Sequence, residues 1–142
     1  MTKTPTYTNI GQILISEVPE LAADHEEAMF NGELMMHVFF GYVAGYVQEQ
    51  TRLYMAGDEQ QGQILQKLSS IFGIMTRALR SNCDKLIGAV MASFLEGLDT
   101  PDAGLFRVMV GMMSDEMKDA VKELQEFYHS PEWRTFMKRL DG

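Results

Sequence analysis

Residues 34–47 (LMMHVFFGYVAGYV) run for fourteen positions with no charged side chain other than His37. Whatever this chain folds into must house that run. As a helix rising ~1.5 Å per residue it reaches roughly 21 Å, short of the ~30 Å of bilayer hydrocarbon. No other segment is longer, so the expectation is no membrane. A soluble helix apolar around most of its circumference reads as a central element touched on several sides. Gly41 and Gly45, with Ala44 beside them, form a smooth strip suited to close approach by another backbone. Glycine costs about 1 kcal/mol inside a helix, so two of them suggest a steric need. The expectation is a buried core helix over about 33–55, closed by Ala56-Gly57-Asp58.

Nearly every other segment also carries helical spacing. Residues 1–8 read as a flexible lead-in, and Asn9 as the cap of a short helix to Val18. Pro19 suits the first turn of a second helix, with Glu20 at the positive end of its dipole. That helix is expected to stop at Asn31-Gly32. Ile64, Leu65, Leu68, Ile71, Phe72, Met75 and Leu79 make one stripe at three- and four-residue steps. Leu86, Ile87, Val90, Met91, Phe94, Leu95 and Leu98 make another, and period-two alternation fails in both. Ser81 or Asn82 suits the cap of the latter, and Thr100-Pro101-Asp102 the start of the next helix. The run 105–113 fits a short strand as well as a helix. It is read as a helix to about Val110, a break at Gly111 and a restart capped by Ser114. Met117, Val121, Leu124 and Phe127 continue that pattern, and Pro131 opens a terminal helix with Trp133, Phe136, Met137 and Leu140. The fold expected is all-α: a compact single domain over 9–142, seven to eight helices packed as antiparallel hairpins.

Composition enters through charge. The chain of 142 residues is long enough for a self-sufficient core, and its net charge is −8. Residues 1–51 hold seven acids against the single base Lys3, whereas 52–142 hold thirteen acids and eleven bases. Nucleic acid is a poor partner for such a surface, because phosphates demand Lys and Arg. A field of one sign over half a chain points instead to a basic partner, or to a solvated face that keeps the protein soluble. One cysteine, Cys83, allows no internal disulfide. With no secretory signal apparent near Met1, the expected compartment is cytoplasmic.

Chemistry-bearing motifs are sparse. Hydrolase elbows, phosphate loops, dinucleotide glycine runs and HxxxH or HExxH pairs are absent. Glu33 and His37, four apart on the expected helix, would share a face, so the carboxylate would orient the imidazole or share a metal with it. Two ligands do not complete a metal site, and a hydrogen-bonded structural histidine is the commoner outcome. No cofactor is expected. The methionine clusters Met35-Met36, Met109 and Met112-Met113 suit a pliable partner groove, though such positions more often fill a core.

Three stretches, "ISEVPEL", "GELMMHVFFG" and "LIGAVMASFLEGL", together resemble a group of small, acidic, helical bacterial proteins of unassigned activity. That group is similar to immunity proteins of polymorphic toxin systems, which bind and neutralise a cognate toxin. Met35-Met36 departs from the group's pattern, where Leu and often Pro precede the histidine. The resemblance implies no catalytic or binding set.

The reading that follows is a non-enzymatic binding protein, an immunity protein or similar inhibitor, whose acidic first half docks on a basic toxin or effector. Glu17, Glu20, Asp24, Glu26 and Glu27 are the expected contact residues. The alternatives are a small metal-binding protein or enzyme centred on Glu33 and His37, and a helical scaffold that self-associates. Monomer and homodimer both stay open.

Overall fold

The computed structural model describes residues 4–128, and these are all-α apart from one two-residue hairpin. The helices are α1 (Ile10–Glu17), α2 (Ala22–Glu27), α3 (Met36–Met55), α4 (Gln61–Leu79), α5 (Asp84–Ala89), α6 (Ala103–Gly111) and α7 (Asp115–Tyr128). A 3-10 turn over Pro19–Leu21 leads into α2, and α5 continues as a π-helical segment, Val90–Leu95. The terminal helix expected from Pro131 lies outside the described residues. Among those described, no helix is long and apolar enough to cross a membrane.

The second helix ends earlier than expected, and the third begins later. Asn31 and Gly32 have φ of 52° and 79°, the left-handed pair that a two-residue hairpin turn requires. They join β1 (Met29–Phe30) to β2 (Glu33–Leu34), with Met29 opposite Leu34 and Phe30 opposite Glu33. Asn-Gly here is a hairpin turn, not a helix stop. Met35 N–H then donates to Ala28 O at 2.8 Å, so α3 starts only at Met36.

Local signals explain most other boundaries. Asp102 caps α6, its carboxylate accepting from Leu105 N at 3.0 Å, so Thr100 and Pro101 stand ahead of that helix. The run 103–111 is helical, and Ser114 accepts from Met117 N at 3.2 Å to restart the chain as α7. Asn9 occupies the position before α1, but its side chain turns back to accept from Thr6 N at 2.6 Å. Cys83, rather than Ser81 or Asn82, precedes α5.

The core gathers around α3, which packs against α2, α4, α5, the π segment and α6. Phe39, Phe40, Val43, Ala44 and Val47 are fully buried there. Phe72 from α4 meets Phe94 edge-on, with ring centroids 6.0 Å apart. Most methionines of the clusters are also core: Met36, Met109 and Met113 are buried.

The glycine strip does not do what its spacing suggested. A Cβ added at Gly41 or Gly45 would meet nothing within 4 Å, and both residues lie on the exposed side of α3. The tight approach occurs elsewhere. A Cβ on Gly97, just past the π segment, would stand 2.7 Å from the Ala44 Cβ. Gln48 Nε2 reinforces that contact by donating to Gly97 O at 2.7 Å.

Candidate functional site

The five acids expected to contact a partner do not behave alike. Glu20 is tied inward: its carboxylate accepts from Tyr46 of α3 at 2.9 Å and pairs with Lys67 of α4. The Lys67 ammonium, joined by Tyr46, holds that carboxyl below its ordinary range despite some desolvation. Burial, with Glu20 close by, pushes the Tyr46 phenol well above its ordinary value. Glu20 therefore fastens the turn before α2 to two other helices.

Glu17, Asp24, Glu26 and Glu27 form no salt bridge among the described residues. Glu17 borders a shallow depression with Gln63, Gln66, Lys67 and Ser70. Glu26 and Glu27 are exposed on α2, while Asp24 is half-buried. Partial burial, and then repulsion from Glu27, raises the Asp24 carboxyl. Like charges on one short helix repel, and no cation of the described chain relieves them.

Besides these acids there is an apolar surface that the sequence reading did not anticipate. Phe30, at the hairpin, is 66% exposed, and Met35, Val38 and Tyr42 each exceed a third. Val38 and Tyr42, four residues apart, share the outer side of α3, and the extended Met35 stands just ahead of the helix. Gly41 and Gly45 extend that side, and Glu49 stands at its far end. Helix α2 packs against α3 through the His25 ring, which meets the buried Phe39 edge-on at 5.2 Å, and Glu20 of the preceding 3-10 turn reaches Tyr46. Two signals were available for this surface. Asn-Gly between Met29-Phe30 and Glu33-Leu34 is a hairpin signature. Tyr42, Gly41 and Gly45 also fall opposite Phe40, Val43 and Val47 on a helical projection.

Glu33 and His37 are not neighbours on one helix face. Glu33 belongs to β2 and lines a cavity of about 450 Å³ with His25, Tyr7 and Lys85. Lys85 Nζ sits 4.3 Å from the centre of the Tyr7 ring. His37, in the first turn of α3, is hydrogen-bonded through Nδ1 to Ser93 Oγ on the π segment. Among the described residues no group of three or more His, Cys, Asp and Glu is arranged to hold a metal.

The class this geometry defines is an all-α helical domain that carries a short acidic helix and exposed apolar residues on the outer side of its central helix. No family model, curated protein or solved structure matches the chain.

Proposed function

We propose that the protein is a non-enzymatic binding protein, an immunity protein or similar inhibitor that neutralises a basic effector. The partner sits on α2, the hairpin and the outer side of α3. One observation carries this reading: the acids of α2, which form no salt bridge among the described residues, are joined by exposed apolar residues at the hairpin (Phe30) and on the outer side of α3 (Val38 and Tyr42). Protein interfaces combine buried aromatic anchors with a charged, solvent-accessible rim. Phe30 and Tyr42 supply the anchors, and Asp24, Glu26, Glu27 and Glu33 supply the rim. An effector that grips nucleic-acid phosphates is basic around its active site, and an acidic inhibitor associates with it quickly and occupies that surface. Glu20 is a positioning residue in this scheme, because its carboxylate is already engaged by Lys67 and Tyr46.

The test is co-expression with the product of the adjacent reading frame. The expected result is a stable complex, loss of that product's toxicity, and at least about tenfold weaker binding in Phe30→Ser. A soluble adjacent product that does not bind, or full affinity in Phe30→Ser, removes the reading. A self-associating scaffold is the second reading, favoured by the open Gly41–Gly45 strip. Sedimentation of the wild type as a dimer, and of Gly41→Leu as a monomer, would put that reading first.

A further inference from the structure

A second cavity, of about 480 Å³, opens between the C-terminal part of α4 and the turn joining α6 to α7. Arg77, Arg80, Ser69, Thr76 and Ser114 bring polar groups to its wall, and Phe72 and Met112 bring apolar ones.

Most of these polar groups satisfy one another. Thr76 Oγ1 donates to Phe72 O at 2.8 Å, which leaves it to accept from Ser114 Oγ, also at 2.8 Å. Ser114 Oγ in turn accepts from Met117 N. Arg80 places Nε and Nη2 on one oxygen of Glu116, at 3.2 and 2.6 Å. Arg77 is the exception. Its Nε is buried and has no hydrogen-bond partner, and the guanidinium forms no ion pair among the described residues. A guanidinium stays charged at any ordinary pH, and an unpaired buried donor is costly to keep. The N-terminus of the fourteen-residue α7 lies at the same cavity, and its first turn carries the carboxylates Asp115 and Glu116, which offset the positive end of its dipole.

We propose that this cavity binds the oxyanion group, phosphate or carboxylate, of a small organic molecule. Arg77 is its principal ligand through its terminal Nη groups, whose N–H bonds match two oxygens of either group, while the buried Nε stays out of a ligand's reach. Ser69 and the outer edge of Arg80 supply further donors, while Phe72 and Met112 lie against the carbon skeleton. Glu116 acts as a built-in competitor, occupying Arg80 until a ligand oxyanion displaces it. The site is independent of the acidic face on α2.

The experiment titrates the full chain with phenyl phosphate, benzoate, inorganic phosphate and acetate, at ionic strength held constant with chloride. Melting temperature and binding heat are read together. One of the two aromatic anions should stabilise the protein saturably beyond chloride, and more than its small counterpart does. Phenyl phosphate acting alone identifies a phosphate ester, and benzoate acting alone a carboxylate. Arg77→Met should fold with an unchanged or higher melting temperature without anion and bind at least tenfold more weakly. Glu116→Gln should bind several-fold more tightly. No response above chloride in the wild type, an equal response in Arg77→Met, or weaker binding in Glu116→Gln overturns the proposal.

Discussion

The two sides of α3 are built from nearly the same kinds of residue and have opposite fates. On the inner side Phe39, Phe40, Val43, Ala44 and Val47 are completely buried. On the outer side Val38, Gly41, Tyr42 and Gly45 face solvent. Inner residues are held by α4, α6 and the π segment, so their contribution is to stability. Outer residues are exposed, so they contribute little to stability and are open to the docking proposed above. Apolar composition marks a helix as wanting cover. It does not say whether the cover comes from the same chain.

The largest effect should come from the inner side. Phe40→Ala removes a fully buried ring, and the loss of transfer energy plus the cavity should cost about 3–5 kcal/mol in chemical denaturation. Tyr42→Ser, two residues along and on the other side, should stay within about 0.5 kcal/mol of wild type. Equal costs would erase the distinction between the two sides.

The glycines sharpen the same contrast. Gly97→Ala forces a Cβ to 2.7 Å from Ala44, so it should destabilise by about 1–3 kcal/mol. Ala44→Gly in that background should recover part of the loss, since it removes the atom in conflict. Gly41→Ala meets open space and should raise stability by about 0.5–1 kcal/mol, because the helix no longer bears the glycine's backbone entropy. A loss at Gly41 instead would mean that the outer side is packed.

The smallest effect concerns the acids. Glu20 has a lowered folded-state pKa, so its contribution is present above its unfolded value and fades as pH falls through the lowered one. Glu20→Gln should therefore lose about 0.2–1 kcal/mol at pH 7, the scale of a solvent-screened pair. That gap should close on acidification below the ordinary carboxylate value of 4.5. Asp24 has the opposite sign. Its raised pKa means that the charged form is disfavoured in the fold, so Asp24→Asn should gain slightly at pH 7 and lose the advantage as the wild type protonates. Urea melts at pH 7 and pH 3.5 read both.

Much of the fold was legible because helical periodicity is a local property. The stripes of α4 and of α5 with its π extension, the closure at Gly57, and the break between α6 and α7 all follow from spacing and caps. The hairpin was missed because Asn-Gly serves equally as a helix stop and as a turn. The flanking segments are only two residues each, too short to show alternation. The role of Gly97 was hidden because close approach depends on which helix arrives, and α3 reaches it from more than forty residues away. The acidic surface was visible as a count of charges, but the inward pairing of Glu20 with Lys67 was not. The exposed apolar side of α3 was hidden within the uncharged run itself, whose inner and outer sides look alike in composition.

The measurement that bears most directly on the proposed partner-binding face is the association rate, as a function of salt, with whichever basic protein co-expression identifies as a partner. It should be made for the wild type and for Asp24→Lys with Glu27→Lys, with circular dichroism establishing that both fold alike. If the acids of α2 steer the partner, the reversal should slow association about tenfold or more and remove most of the salt dependence. A double variant that associates at the wild-type rate, with the wild-type salt slope, would contradict the account and leave the acids of α2 as a solvated surface.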